Sequence, residues 1–571
     1  DIDTVTDGRV DVNANLSVNG GDVTGAASTG TAGAGGSAAT TDGITINTAG
    51  ASDGVGINGA LSADGGNVTS VTSSTGNGGA GGRVQIGTLG TGAPIDVNDK
   101  LSADGGDVTG PSSSGNGGIG GDGAVGDGIN LTTANSNSGI SLKDDDAVAT
   151  GNGGASAIGG SVTGIGSTGF GGNGGLISMN TGTGASSTIT TNLDSPLSVN
   201  GGNSGDTGAT ADGGSAGTGP DNGITLTTGG TNARIQLDAA ASANGGTGTD
   251  QGGQGGLISA ATTNSSSIID VNDQLSANGG NGGTGNGGDA GRTSSTSGVI
   301  LSTTGTSSFI TLDPDAGGTG GATAIGGDTA TGTTGGFGGR VLITTSGASG
   351  ASITTADNAP LDASGGNATT AGAGSSNGGN AGSGNISDGI VLSTTGVGTN
   401  NGISIGETAD ANGGTAAADS GDGGQGGLFS ATTAGTESLI DINDRIQTNG
   451  GNGGPGAGDP DGGDAGRLAN LGGILLTTTG DNSSIDVDDT NADALGGLSS
   501  NGGTAGDNGG DGGRIIVITS GPTDATININ AGAPTSVDGG DSTVDNDGGI
   551  AGTSASPTTG AGGDGIVMIT G

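Results

Sequence analysis

The stretch RVQIGTLGTGAPIDVNDKLSADGGDVTG at residues 83–110 contains three short segments that recur along the chain. In the first, VQIGT, apolar residues alternate with polar ones and the segment ends in Thr. In the second, Ile95 and Val97 flank Asp96, and the third, LS, leads into a pair of glycines. Because a period of two places every second side chain on one face of a strand, each segment is predicted to be a short β-strand.

The first segment occurs thirteen times between Ile44 and Ile566, with a mean step of 43.5 residues. Every copy is apolar at its first position and again two residues later, and has Thr four residues later. The Thr positions are Thr48, Thr88, Thr133, Thr181, Thr228, Thr262, Thr303, Thr345, Thr394, Thr433, Thr478, Thr519 and Thr570. We expect an internal ladder of hydroxyl hydrogen bonds, worth about 0.5–1.5 kcal/mol each. The alternative is an exposed Thr array of the ice-binding kind, which the shared parity with Ile and Leu disfavours.

The second segment follows the first by 11 to 13 residues, and a phrase close to L-S-A-x-G-G comes next. The motifs IDVND, IDVND and IDIND begin at residues 95, 269 and 440, so near copies recur after 174 and 171 residues. Related segments of another type, such as STITTNLDSPLSVNGG from Ser187, lie between them. Four repeats, about 172 residues, therefore form a super-repeat, as expected for a tandem array.

These patterns predict an all-β fold, a parallel β-solenoid (β-helix) of about 13 rungs of ~43 residues each. No apolar stripe of helical period persists along the chain. Residues 1–571 are expected to form a single continuous solenoid with no separate catalytic or anchor domain. At about 4.8 Å per rung the stack would span about 60 Å. The array is expected to open just before a second segment and to end just after a first one, without a capping sequence.

The residue before the first segment alternates between glycine and a long side chain, as at Gly43, Arg83, Gly128 and Leu176. This position is predicted to point outward, and the glycines are expected to leave room for the long side chains to lie flat along the stack. The true unit is then a pair of rungs. Later rungs also place apolar residues outward, and these need a cover: Ile300, Leu342, Val391, Leu475, Ile516 and Val567.

The segments that return to the next rung are rich in glycine, as in GGNGGTGNGGDAG at residues 279–291. One interpretation is flexible surface loops. The other is that the returns pack side by side as extended three-residue helices of the polyglycine II type, with glycine where neighbours touch. Such a layer would cover the outward apolar residues, and a partner surface is the other candidate for that role.

Composition excludes several functions. With 55 acidic and 10 basic residues the formal charge is −45, which disfavours nucleic acid and anionic membranes as partners. No apolar run approaches the length of a membrane span. The chain has no His and no Cys, which removes the usual zinc sites, Ser-His-Asp triads and Cys nucleophiles. Paired carboxylates can hydrolyse glycosides, but aromatic platforms and a local break in the repeat are missing, so we predict that the chain is not an enzyme.

Calcium is a candidate structural cofactor, because stacked rungs bring carboxylates close together and divalent cations would relieve their repulsion. The competing interpretation of each acidic residue is a solvated turn. The candidate ligands are Asp96, Asp99, Asp144, Asp145, Asp146, Asp270, Asp273, Asp441, Asp444, Asp486, Asp488 and Asp489.

The rung G-x-I-x-L-x-T followed by I-D-V-N and L-S-x-N-G-G resembles the repeat arrays of bacterial surface β-solenoids, such as filamentous-haemagglutinin-like adhesins and autotransporter passengers. The resemblance covers the whole chain, although the rungs here are longer and the returns richer in glycine. It implies an exported, extended protein used in adhesion or matrix building.

The sequence therefore favours a structural extracellular protein, a rigid acidic rod that forms a cell-surface or matrix filament by end-to-end stacking on itself, with lateral contact between copies as a further expectation. The alternative is the stalk of a monomeric adhesin with a cell-surface or glycan receptor. An ice-binding or polysaccharide-acting β-helix is a third, less favoured class. Neither nucleic acid nor membrane insertion is expected.

Overall fold

The computed structural model contains strands, turns and extended segments, and no helix among the residues it describes. Those residues are 1–4, 8–36, 43–121, 128–143, 153–206, 210–216, 223–291, 298–314, 320–331, 334–369, 376–381, 388–396, 398–417, 420–455, 460–466, 473–488, 496–530, 532–542 and 565–570. The chain divides into two compact units, Asp1–Gly280 and Asn281–Gly571. Each unit is a stack of rungs, and each rung contributes one strand to each of three parallel sheets. The predicted fold class is confirmed, whereas the single continuous solenoid stays a prediction.

The first unit has three sheets of stacked strands and a fourth, smaller one. The first sheet contains Ile2–Thr4, Gly43–Thr48, Arg83–Thr88, Ile129–Thr133, Ile177–Asn180, Gly223–Thr228 and Leu257–Thr262. The second contains Val10–Val12, Val55–Ile57, Ile95–Val97, Gly139–Leu142, Thr188–Thr191, Arg234–Leu237 and Ile268–Val271. The third contains Leu16–Ser17, Leu61–Ser62, Leu101–Ser102, Ala155–Ser156, Leu197–Ser198, Ala241–Ser242 and Gln274–Ser276. The fourth contains Val23–Ser28, Val68–Ser74, Val108–Thr109 and Val162–Thr163.

The second unit repeats the first three sheets. Its first sheet contains Val299–Thr304, Val341–Ser346, Asp388–Thr394, Leu428–Ala434, Ile474–Thr479, Ile515–Ser520 and Ile566–Thr570. Its second contains Phe309–Leu312, Ser352–Thr355, Gly402–Ile405, Leu439–Ile442, Ser484–Val487 and Thr526–Ile529. Its third contains Gly321–Thr323, Leu361–Asp362, Ala409–Asp410, Arg445–Gln447, Gly497–Ser499 and Thr535–Ser536.

Like residues stack on like residues in the predicted register. Ile86 lies opposite Ile46 and Thr88 opposite Thr48 in the first sheet, and the second and third sheets follow the same rule. Inward side chains of all three sheets form a fully buried core of Ile, Val, Leu and Ala. The strand Ile2–Thr4 corrects one expectation, because it pairs with Gly43–Thr48 and precedes Val10–Val12. Residues 1–4 hold only part of the three-position pattern, so the sequence did not reveal a first-sheet strand there.

A left-handed residue fixes the corner between the first and second sheets. It lies three residues before the first inward residue of the second strand, as at Ser52 before Val55 and Asn137 before Ile140. Gly92 occupies the same place, with φ of 68°. Because short polar residues and glycine tolerate positive φ better than others do, the corner keeps a nearly constant length. This explains the regular spacing of the first two segments.

The glycine-rich returns form a second hydrogen-bonded layer. The N–H of Gly79 donates to the carbonyl of Gly66, and that of Gly106 to the carbonyl of Gly79 (N···O 2.9 and 2.8 Å). The direction of hydrogen bonding repeats every three residues, since Gly82 donates to the same neighbouring segment as Gly79, although to a different residue of it. Three residues per turn is the period of an extended polyglycine II helix. A Cβ added at Gly79 would overlap the carbonyl oxygen of Gly33. The side-by-side packing is therefore confirmed, and these returns are not loose surface loops.

The second unit contains the same layer. Successive N–H groups of Gly366, Gly379 and Gly414 donate to the carbonyls of Gly336, Gly366 and Gly379, each with an N···O distance of 2.8 Å. In the first unit the layer also carries the fourth sheet, whose small core of Val68, Val108, Val162 and Ala32 was not predicted.

The alternating position before the first sheet needs a different explanation from the predicted one. A Cβ added at Gly43 would overlap the backbone of Arg83, and one added at Gly223 would overlap the carbonyl of Leu257. At Gly43 and Gly223 glycine is therefore required by the close approach of the neighbouring backbone, whereas at Gly473 an added Cβ would meet the hydroxyls of Ser500 and Thr448. Rungs with a long side chain begin directly after a glycine pair, such as Gly81 and Gly82 before Arg83.

Candidate functional site

Three of the acidic residues proposed as metal ligands point outward from the second sheet. Asp96 lies 4.0 Å from an Nη of Arg9, and Asp270 lies 2.6 Å from an Nη of Arg234. Asp441 accepts hydrogen bonds from Ser404 Oγ (3.3 Å) and Asn443 Nδ2 (3.0 Å). The repeated I-D-V-N motif therefore builds the same strand each time, and its outward carboxylate lies near a different donor in each copy, on its own rung or on another one.

The last residue of the IDVND phrase belongs to a turn. The carboxylates of Asp99, Asp273 and Asp444 accept the backbone N–H of the next residue, with N···O distances of 2.7, 2.7 and 2.6 Å. This local hydrogen bond is typical of Asp in turns and holds the chain between the second and third sheets. The interpretation of Asp99 as a turn residue is confirmed.

The remaining metal candidates divide between described and undescribed residues. Asp486 accepts a hydrogen bond from Asn528 Nδ2 (2.6 Å), and Asp488 accepts one from Asn530. Asp144, Asp145, Asp146 and Asp489 lie outside the described residues. Within the part of the chain that is described, no group of three or more acidic side chains could hold a metal ion. Calcium binding stays a prediction.

The Thr column lies inside the first sheet, but its hydroxyls do not form the predicted ladder. Thr48 and Thr88 donate to the carbonyls of Asp53 and Ala93 in their own corner (2.6 and 2.8 Å), and Thr478 donates to Ser483 (3.2 Å). Other buried hydroxyls of the column have no hydrogen-bond partner: Thr133, Thr181, Thr228, Thr262, Thr303, Thr345, Thr394, Thr433 and Thr519. Burial of the column disfavours the ice-binding alternative for these residues.

Asp and Asn side chains form ladders that the sequence analysis missed. Asp64 Oδ1 accepts the N–H of Asp104 (2.9 Å), and Asp104 Oδ1 accepts the N–H of Ile158 on the following rung (2.8 Å). Asn449 Oδ1 accepts the N–H of Asn501 in the same way (2.8 Å). These residues precede the glycine pair after the third sheet, so the recurrence of Asp or Asn before G-G was the available signal. Many acidic residues thus satisfy backbone donors that sheet pairing leaves free.

Burial in the third sheet perturbs several carboxyl groups. Burial raises the pKa of Asp104, although Lys100 opposes the effect. In the second unit, burial and the neighbouring carboxylate of Asp362 raise the pKa of Asp410 to about 6. Arg445, with an Nη 3.7 Å from Asp410, offsets only part of this effect. Asp410 is therefore partly protonated near neutral pH.

Open grooves lie along the returns of each unit. A groove of about 570 Å³ in the second unit is lined by Asp422, Asp461, Asp464 and Asp511 together with Asn and Gln side chains. A groove of about 470 Å³ in the first unit is lined by glycines, Asn side chains and Phe170. Because the chain contains no His and no Cys, neither groove can hold a nucleophile–base pair that uses one of these residues. The groove of the second unit is mainly polar, whereas that of the first unit is mainly apolar.

The outward side of the first sheet in the second unit has a different character. Aliphatic residues form one column, interrupted by Ser430: Ile300, Leu342, Val391, Leu475, Ile516 and Val567. Two residues later in each strand lies a second column, which we call the hydroxyl column because it starts with Ser302, Thr344, Ser393, Thr432 and Thr477. We call these two columns the acid-free face, because neither contains an acidic residue.

The described parts of the returns form their hydrogen bonds on a different side of the rung from the acid-free face. They donate to the residues after the third sheet, as from Gly339 to the carbonyl of Ala324 (2.7 Å). Ile300, Leu342 and Val391 keep partial exposure to solvent, whereas Ile516 is buried. Cover by the returns was one of two predictions for these residues, and it stays a prediction, because residues 292–297, 382–387 and 467–472 before three of these strands lie outside the described residues.

In comparisons with known proteins, no family model, curated protein or solved structure matched the chain. The resemblance to bacterial surface β-solenoids stays a prediction. None of the described segments is a helix that could cross a membrane.

Proposed function

We propose that this chain is a structural extracellular protein, an acidic β-solenoid that assembles end to end into a filament at a cell surface or in a matrix. The observation that carries the proposal is the exposure of core-type side chains on Ile566–Thr570. Ile566 and Met568 are 39% and 47% exposed, whereas their partners Ile515 and Val517 are fully buried. A surface of this kind is stabilised when another rung covers it.

The strand Ile2–Thr4 offers a matching surface. Ile2 is 37% exposed, whereas its partner Ile46 is fully buried. Each of these strands also has an edge whose N–H and C=O groups can pair with a further parallel strand. More chain of the same kind or a second copy would satisfy both edges. Both edges present an apolar position followed by the Thr column, so either one would continue the register of the sheet.

The acidic surface supports a filament that stays dispersed. A formal charge of −45 makes most pairs of outward faces repel one another, so growth along the stack is favoured over random association. The hydrogen bonds of the strands and of the glycine layer run from rung to rung, which suits a mechanical role. No enzyme activity forms part of the proposal.

Electron microscopy and fibre diffraction of purified chain 1–571 test the proposal. We expect filaments with a reflection at about 4.8 Å along the filament axis. The double variant Ile566→Lys/Met568→Lys should abolish them, because it places charges on the exposed edge. Val71→Lys/Leu89→Lys is the matched control, since Val71 and Leu89 are 74% and 61% exposed in the first unit. Monodisperse particles of the unaltered chain at micromolar concentration would contradict the filament and favour the adhesin stalk.

Calcium enters the proposal as a structural ligand between carboxylates of neighbouring rungs, such as Asp441 and Asp486, which lie opposite each other in the second sheet. Removal of calcium by a chelator should lower the melting temperature, because it restores carboxylate repulsion. An unchanged melting temperature would remove calcium from the proposal and leave the filament untouched.

A further inference from the structure

We propose that the acid-free face of the second unit binds the same face of a second copy, and so pairs two chains side by side. This lateral contact is separate from end-to-end stacking and does not require it. Three features of the described residues support the lateral contact: the charge of the face, its columns and the spacing of its strands.

Charge selects the partner surface. The chain contains 55 acidic residues, yet the aliphatic and hydroxyl columns contain none. Charged residues lie beside the columns at the start of the strands: Arg340 and Arg514 directly precede two of them, and Asp388 is the first residue of Asp388–Thr394. A face of this kind can approach a copy of itself without the carboxylate repulsion that the Asp-bearing faces of the molecule would meet. Pairing also removes the half-exposed aliphatic column from water, which is the driving force.

Symmetry orders the contact. A two-fold axis parallel to the columns places the aliphatic column against itself, and Ser430, the polar interruption, opposite Ser430 of the second copy. The same axis places Arg340 near the hydroxyl column of the second copy, where Ser and Thr oxygens can accept its N–H groups. An axis perpendicular to the columns would instead bring Arg340 towards Arg514 of the second copy, two like charges. The parallel arrangement is therefore favoured.

Strand spacing makes a second copy the best occupant. Side chains in the aliphatic column repeat once per rung, at about 4.8 Å, and a second stack has the same repeat. Contacts can therefore recur along the column without loss of register, as when two sheets pack face to face about 10 Å apart. A partner with a different spacing would match only a few positions.

Cross-linking of introduced cysteines tests the contact and its direction, because the native chain contains no Cys. Ser430→Cys should form a covalent dimer with a bifunctional maleimide that spans about 10 Å, the distance between facing sheets, and so should Leu475→Cys, since the parallel axis places each residue opposite its own copy. Ser178→Cys is the matched control, because it is outward at the same position of the first unit. Dimers from Ser430→Cys but not from Leu475→Cys would overturn the parallel axis. Failure of Ser430→Cys, or equal dimer from the control, would overturn the contact.

A charge variant provides the second test. Leu342→Asp/Leu475→Asp should reduce the dimer fraction in sedimentation velocity at least tenfold, while Gln85→Asp/Ser259→Asp at the same positions of the first unit should not. Both are measured in the edge-blocked Ile566→Lys/Met568→Lys background. Dimers that persist in the Leu variant would contradict the inference. Filaments of single width from the unaltered chain would contradict the lateral contact and leave the filament proposal intact. Dimers without filaments would support the lateral contact and contradict the filament proposal.

Discussion

The first sheet presents different outward faces in the two units although its inward face is the same. In the first unit the position after the first inward residue is polar: Thr45, Gln85, Asn130, Ser178, Thr225 and Ser259. In the second unit the same position holds the aliphatic column with Ser430. Inward residues are apolar, apolar and Thr in both units. The fold is therefore specified by the inward positions of the strand, and the outward positions are free to carry a separate function.

The third sheet shows a second difference between the units. Its outward position is Ser throughout the first unit, as at Ser102 and Ser156, whereas Asp362 and Asp410 occupy neighbouring rungs in the second. The first unit avoids carboxylate repulsion at this position, and the second accepts it. Each difference between the units can be tested by exchanging single side chains.

The largest expected effect lies on the inward parity and should be equal in both units. Ile86→Ala and Ile343→Ala should each destabilise their unit by about 2–5 kcal/mol, because both side chains are fully buried. Native-state hydrogen exchange of the surrounding strands measures this rung by rung. The outward neighbours Gln85→Ala and Leu342→Ala serve as controls and should change stability far less. A loss confined to one unit would contradict the shared inward code.

The second effect is a pH dependence expected in the second unit. The folded-state pKa of Asp410 is raised from 3.8 to about 6, so its contribution to stability is fully present below about pH 3.8 and is lost as pH rises through about 6. The difference between the two pKa values corresponds to about 3 kcal/mol in the free energy of unfolding. Asp410→Asn should stabilise the chain at pH 7.5 and change it little at pH 3.5. Thermal melts at both pH values measure the effect, and the exposed Asp11→Asn is the control. Equal stabilisation at both pH values would contradict the assignment.

The third effect concerns the glycine layer, which is common to both units. Gly79→Ala and Gly379→Ala should each cost about 1–3 kcal/mol, because the added Cβ would overlap backbone atoms of a neighbouring rung. Gly21→Ala is the matched control in the same layer, since its Cβ would meet no atom within 4 Å. Urea unfolding of the three variants makes the comparison. If Gly21→Ala were as costly as Gly79→Ala, packing of the layer would not explain the glycines.

The smallest effect separates two members of the Thr column. Thr88→Val removes a buried hydrogen bond to Ala93 and should cost about 0.5–1.5 kcal/mol. Thr345→Val removes a buried hydroxyl that has no partner, so it should be neutral or stabilising. Melting temperatures of the two variants decide the matter. A loss of stability in Thr345→Val comparable to that in Thr88→Val would restore the hydroxyl ladder.

Sequence alone predicted the features that depend on inward side chains. Ile44, Ile46 and Thr48 repeat because each must fit the same core, so their register was readable. The ladder through Asp64 and Asp104 was not, because an outward Asp looks the same whether it binds water, a cation or a backbone N–H. The bonding of Thr345 depends on its rotamer, which composition does not encode. Val23 and Val68 in the fourth sheet were overlooked because they lie within segments dominated by glycine.

The Asp and Asn ladders also bear on how the protein ages. Asn–Gly pairs deamidate when the glycine nitrogen attacks the Asn side-chain carbonyl carbon, expelling ammonia and leaving a succinimide that water opens to Asp or isoaspartate. At Asn449 and Gly450 one residue of the next rung, Asn501, donates to the Asn oxygen and accepts from the glycine N–H (2.8 Å each). Stacking thus holds both reacting groups apart from each other. Peptide mass measurements should find such pairs intact in the folded chain and modified in urea, so that the glycine-rich layer is chemically durable only while it is assembled.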